Sequence, residues 1–366
     1  MASTATREAT RPRVKPAIID TDIHNALPSP AALLPYVPPA WRGYYEQFGY
    51  RNHRYGGANY PRVSPAAART DAWPPGGKLP GSDLPFLREQ LLDAWEIDLG
   101  ILNPLIDDNC ASQLHAEYGA ALATALNDWQ LAEWVDKEPR LRASMIVASE
   151  DGALAAAEIE RRAGDARFVQ VLLLARSREP LGRRAYWPIY EAAQRHRLPV
   201  GVHFGGLGGQ AITGSGWPYF YLEDHVGMPQ TFQAHVASLI FEGVFERFPA
   251  LRLVIIEGGI AWLPPFMWRM DRAWERLRAE VPHVRRPPSA YVRQHLWLTT
   301  QPMEEPPRRG DFTHLLQQLD MNDQIMFATD YPHWDFDAPD AAFPVRLPAE
   351  LEQKFLAGNA RALYGL

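Results

Sequence analysis

Short apolar runs alternate along the chain with longer stretches whose apolar positions recur at helical spacing. The runs Ala17–Asp22, Leu99–Leu102, Ala143–Val147, Phe168–Leu173, Val200–His203, Leu251–Glu257, His295–Thr299 and Gln324–Asp330 predict strands. Helices are predicted between most of them, over Gln113–Val135, Gly152–Ala163, Arg183–Arg197, Phe232–Phe248, Trp262–Glu280 and Thr313–Leu319, with a closing helix over Ala349–Tyr364. Strand followed by helix, repeated in this way, requires a parallel sheet. About eight units in a chain of 366 residues fit an α/β fold of the (β/α)8 TIM-barrel type. The competing architecture, a doubly wound open sheet, wants a glycine-rich turn after its first strand, and none follows Asp22.

One segment breaks the alternation. Residues 28–85, dense in Pro, Gly, Tyr and Trp, form a long insertion after the first strand. Its aromatic content argues against disorder, and its position predicts a lid or wall over the strand ends, or an oligomer contact. Residues 1–15 read as a loose polar tail, leaving residues 16–366 as a single barrel domain.

Several predicted strands end on a side chain that can bind a metal. In an extended strand alternate side chains share a face, so Asp22 and His24 point the same way at the end of the first run. Val200–His203 ends on His203, Leu251–Glu257 on Glu257 and Gln324–Asp330 on Asp330. Singly, each has an ordinary explanation: a turn residue, a helix cap, a satisfied core histidine. Together they fall where barrels of this type carry their catalytic groups, at the C-terminal strand ends. Asp22, His24, His203, Glu257 and Asp330 give three carboxylates and two imidazoles without a thiolate, a set suited to Fe, with Zn or Mn as alternatives. Three carboxylates on one buried divalent ion leave excess negative charge, which favours two ions with a bridging carboxylate. His333 follows Asp330 closely and reads as a further ligand or a proton carrier. His225 and His235 are weaker candidates, and His53, His115, His196, His283, His295 and His314 read as structural or exposed. Gly205-Gly206-Leu207-Gly208-Gly209 reads as an active-site loop rather than a phosphate cradle.

Composition narrows the function classes. A net charge of −6 without a long basic run argues against nucleic-acid binding, and no stretch is apolar enough for a membrane span. The single cysteine, Cys110, excludes an internal disulfide and fits a reducing, cytoplasmic compartment.

The runs Ser238–Pro249, Ile255-Ile256-Glu257-Gly258-Gly259 and Thr329-Asp330-Tyr331-Pro332 resemble the amidohydrolase superfamily, in its decarboxylase-like branch. The resemblance implies that His24, His203 and Asp330 match the family's metal ligands, with Asp22 in the place of the first His. It also places Glu257 where a proton-transferring His is usual, a departure that puts the decarboxylase mechanism in doubt. A narrower similarity is to a diiron acyl-CoA thioesterase subgroup of platensimycin-type diterpenoid biosynthesis.

These readings lead to an expected hydrolase, a thioesterase of secondary metabolism cleaving a bulky hydrophobic acyl-CoA by metal-activated water. Asp330 takes the water's proton and His333 helps protonate the leaving group. Trp41, Tyr44, Tyr45, Trp73 and Trp217–Tyr221 supply an apolar wall, and Arg51 and Arg54 are candidates to meet the phosphates of the leaving group. The alternative is non-oxidative decarboxylation of an aromatic or unsaturated acid, with His333 or His225 replacing the missing histidine as proton donor. A metal-free binding protein on a decayed barrel is a third reading, disfavoured because the ligand types are changed rather than lost. The branch implies a homodimer, with Trp262–Trp274 contributing to the contact.

Overall fold

The structure, a computed structural model, describes residues 16–49, 67–104, 110, 113, 115–206, 211 and 213–366. Eight strands form one sheet in sequence order: β1 (Ile19–Ile23), β2 (Leu99–Leu102), β3 (Leu141–Ile146), β4 (Phe168–Arg176), β5 (Val200–Gly206), β6 (Leu253–Ile256), β7 (Leu296–Thr299) and β8 (Ile325–Met326). All seven neighbouring pairs are parallel. Strands covered on both faces need near-continuous apolar runs, and β1 and β6 are buried along their whole length.

The barrel is closed by irregular bonds between β1 and the chain after β8. Thr21 N donates to Phe327 O at 3.0 Å, Asp330 N to Asp22 O at 3.1 Å and His24 N to Tyr331 O at 2.8 Å. The last strand is shorter than its apolar run predicts. Phe327 N turns away to Phe355 O in the C-terminal helical segment, so the regular ladder stops at Met326. The core gathers β-barrel residues such as Ile19, Val171, Val202 and Ile255 with inward faces of the surrounding helices. Among the helices not foreseen are Tyr221–Val226 after β5, Pro288–His295 before β7 and, inside the insertion, Arg42–Phe48.

Among the described residues, the insertion contributes less to the strand ends than its aromatic content predicts. Trp41 and Tyr44 pack on Tyr118 of the helix Ala116–Gln130, and Tyr45 is buried with its hydroxyl on Pro30 O at 2.7 Å. The insertion does pin the centre at its return. Ala26 N donates to Gly81 O at 2.8 Å, and a Cβ at Gly81, whose φ is +72°, would lie 2.5 Å from the His24 carbonyl. Ala68 also forms an antiparallel bridge with His333, fixing the loop after β8.

The helix Leu263–Leu277 corrects the expected subunit contact. Trp262, Met267, Met270 and Trp274 are buried in the chain's own core, and of the tryptophans there only Trp268 is exposed. Among the described residues no helix is long and apolar enough to cross a membrane. Residues 1–15 and the arginines Arg51 and Arg54 lie outside the described residues.

Candidate metal centre

The strand alternation predicted from β1 places Asp20, Asp22 and His24 on one face. Asp20 is the innermost, and its carboxylate accepts from Thr329 N at 3.0 Å and Thr329 Oγ1 at 2.5 Å, tying β1 to the chain after β8. Asp22 and His24 stand beyond it and meet His203 from β5, Glu257 after β6 and Asp330 after β8. All five of these residues, from Asp22 to Asp330, are buried. Glu257 and Asp330 both turn the chain with left-handed backbone, φ 57° and 60°. A non-glycine residue is held there only where the surroundings over-determine it, and such positions concentrate at functional sites.

Two overlapping groups of ligand atoms result: Asp22, His24, His203 and Glu257, and His24, Glu257, Asp330 and His333. Within each group the atoms lie within 4.8 Å of one another. His203 Nε2 is 3.4 Å from both Asp22 Oδ2 and Glu257 Oε1, and His24 Nε2 is 3.6 Å from Asp22 Oδ1 and 3.7 Å from Glu257 Oε1. Donor atoms around an ion at about 2.0–2.2 Å lie about 3–4 Å apart, so this spacing suits a shared ion. A second observation fits the same occupant: Asp22 Oδ2 and His203 Nε2 are buried without a hydrogen-bond partner. Orphaned polar atoms of this kind are rare in a folded interior unless something else satisfies them. In the second group, Asp330 Oδ1 is 2.7 Å from both His24 Nε2 and His333 Nδ1, and His333 Nδ1 is 3.5 Å from Glu257 Oε1. The two groups are consistent with a centre of two divalent ions of the manganese, iron or zinc type.

The ring orientations are set by the far nitrogens. His24 Nδ1 donates to Asn103 O at 2.7 Å and His203 Nδ1 to Phe204 O at 2.5 Å, leaving both Nε2 atoms for the centre. Asn103 was missed in the sequence, although it directly follows a predicted strand. Its amide also donates to Asp22 Oδ1 at 2.8 Å, and its Oδ1 accepts from Ser144 Oγ at 2.6 Å and Gln170 Nε2 at 3.3 Å.

Without an ion, the centre balances charge with protons. Burial opposes the charged His24 ring, yet Asp22 and the bond to Asp330 carry its pKa up to about 9. His203 and His333 are likewise raised well above the ordinary value, against burial, by Glu257, Asp22 and Asp330. Glu257 is held well below its ordinary value despite burial, chiefly by His203. Burial pushes Asp330 up to about 7, against the pull of His333. Carboxylates that hold protons on three imidazoles form a site with high demand for positive charge, which divalent cations meet when the protons leave.

The centre opens on a cavity of about 210 Å³. Leu174, Phe204, Met228 and Pro302 give it apolar walls, while Tyr221, His225 and Asp335 add polar groups. Of the expected aromatic wall only Tyr221 reaches it. Trp41, Tyr44, Tyr45 and Trp73 do not line the cavity, and Trp217, Tyr219 and Phe220 are exposed. Gly205 lines it as the predicted loop begins, with residues 207–210 outside the described residues. His235 is structural, accepting from Leu181 N and donating to Ala175 O.

Comparison with known proteins places these features. The family model described as amidohydrolase matches residues 19–366. A gamma-resorcylate decarboxylase of Polaromonas sp. is 28% identical over 317 residues, covering 79% of this chain and 93% of the relative. A second, from Rhodococcus jostii, is 24% identical over 278 residues, covering 70% and 82%. Among solved structures, the dihydroxybenzoic acid decarboxylase of Polaromonas sp. with bound manganese and 2-nitroresorcinol aligns with TM-score 0.67 and 22% identity, over 96% of this chain and 97% of that one. A manganese-bound 5-carboxyvanillate decarboxylase of Novosphingobium aromaticivorans aligns with TM-score 0.70 and 19% identity, over 96% and 98%. These matches correct the expectation of a diiron thioesterase, and with it the hydrolase reaction and the bulky CoA-linked partner, because the curated relatives are decarboxylases. The cavity agrees physically: about 150 Å³ suffices for a benzene ring, so 210 Å³ suits one substituted ring.

Proposed function

Since the chain belongs to the amidohydrolase family, we propose that it catalyses metal-dependent decarboxylation of an aromatic hydroxy acid of the hydroxybenzoate type. The observation that carries this is a two-group metal centre on the wall of a one-ring cavity, in a chain whose curated relatives are gamma-resorcylate decarboxylases. The lone cysteine supports a reducing, cytoplasmic setting.

Asp22, His24 and His203 would hold one ion and Asp330 and His333 a second, with Glu257 shared between the two groups. A bound divalent metal would supply positive charge toward the substrate's carboxylate. Leu174, Phe204 and Met228 enclose the ring and exclude water from it. Decarboxylation breaks one carbon–carbon bond and returns one proton to the ring. It consumes no water, so the roles of Asp330 as base toward water and of His333 toward a thiolate fall away. Asp330 and His333, 2.7 Å apart at Oδ1 and Nδ1, instead stand beside the reacting group as members of the second ligand group.

Manganese-loaded protein incubated with a panel of mono- and dihydroxybenzoates tests the proposal. Carbon dioxide and the matching phenol are the expected products from at least one member. Failure with every member, alongside thiol release from an acyl-CoA, would overturn it.

A further inference from the structure

Four imidazoles line the cavity: His24, His203, His225 and His333. Three belong to the ligand groups, and His225 does not. It sits on the short helix Tyr221–Val226, half-buried between the ring of Tyr221 at 5.9 Å and that of Trp334 at 5.2 Å. Its Nε2 is bonded to Asp335 Oδ2 at 2.9 Å. Asp335 is held in turn through its backbone, whose carbonyl accepts from Gln301 Nε2 at 3.1 Å. With Nε2 engaged, Nδ1 is the ring's remaining donor.

A carboxylate on one nitrogen of an imidazole fixes its tautomer and orientation and stabilises the charged ring. The pair therefore has the construction of a positioned acid, set in the same cavity as the metal centre but outside its ligand groups. Building on the decarboxylation proposed above, we infer that His225 is the catalytic proton donor to the substrate ring, with Asp335 as its positioning residue.

The step balances. Protonated His225 delivers its Nδ1 proton to the ring carbon that bears the carboxylate. The bond from that carbon to the carboxylate then breaks, its electron pair restores the aromatic ring, and carbon dioxide departs. Neutral His225 regains a proton from solvent, so each turnover consumes one proton and needs no oxidant or reductant. Asp335 favours the charged ring through its hydrogen bond to Nε2, with the Tyr221 hydroxyl as the other titratable neighbour.

The test compares wild-type, His225→Gln and His225→Ala protein, each loaded with manganese, on a hydroxybenzoate that the wild type decarboxylates. Expected is a fall in kcat of about 100-fold or more in both variants, with KM and bound manganese unchanged. Free imidazole added to His225→Ala should restore part of the rate. A wild-type rate in His225→Gln overturns the assignment. So does a loss that imidazole does not restore, or one that follows loss of bound manganese. Failure of the underlying reaction looks different, because the wild-type protein itself then releases no carbon dioxide.

Discussion

Asp22 Oδ2 and His203 Nε2 face each other at 3.4 Å inside the barrel, both buried and neither with a hydrogen-bond partner. They stand on strands that are not neighbours, β1 and β5, so no local sequence preference brings them together. A cation between them satisfies both. Asp22→Asn keeps the volume and removes the anion. Bound metal, measured by mass spectrometry on protein prepared in manganese buffer, should fall by more than half while circular dichroism stays that of the wild type. Full metal content in this variant would remove Asp22 from the ligand set.

Asn103 holds both ligands of the first strand, His24 through its carbonyl and Asp22 through its amide. Asn103→Ala keeps the carbonyl and deletes the amide. Support of this kind around a metal ligand is worth about 10–100-fold in affinity, which competition with a coloured chelator reads directly. The same substitution removes the acceptor of Ser144 Oγ, so urea denaturation of the metal-free protein should show a loss of about 1–3 kcal/mol. An unchanged affinity would assign Asn103 to the fold alone.

Much of this centre was legible in the sequence because strand periodicity is strict. Once the apolar runs before Asp22, His203, Glu257 and Asp330 are taken as barrel strands, the barrel itself sends their ends to one rim. What could not be read were contacts set by loop paths. The unforeseen helix Tyr221–Val226 brings His225 to Asp335 across 110 positions of chain. Asn103 is a different case. It ends the strand run Leu99–Leu102 in the way His203 ends its own, but an uncharged amide was not weighed as part of a metal site. The aromatic insertion misled for a related reason: composition suggests a binding wall, but Trp41 and the exposed Tyr44 pack on Tyr118 rather than lining the cavity.

The two ligand groups share His24 and Glu257. The Nε2 of His24 has one lone pair and serves one ion, whereas the two oxygens of Glu257 can serve both. Glu257, whose Oε1 faces His24, His203 and His333, would therefore be the shared carboxylate. Glu257→Gln should lower the ion count from about two per chain to about one, with the remaining ion held by Asp22, His24 and His203. Retention of both ions would show that Glu257 does not bridge.

Metal-free protein should lose stability as pH rises. The His24 pKa, about 9 in the folded chain against an ordinary 6.5, means that its contribution is full below 6.5 and is lost as pH climbs through 9. Asp330, raised from 3.8 to about 7, acts in the same direction over the lower interval, because the folded state holds its proton more tightly. Calorimetry of chelator-treated protein should show Tm falling between pH 6.5 and 9. Metal-loaded protein, in which cations replace those protons, should show a flatter profile. Parallel profiles would mean that these imidazoles hold no protons for the metal to displace.

Metal-dependent release of carbon dioxide tests the whole account most directly. Protein stripped by chelator should be inactive on a hydroxybenzoate that the manganese-loaded protein decarboxylates, and added manganese should restore the rate in proportion to the ions bound. Carbon dioxide release that persists at full rate in metal-free protein would contradict it.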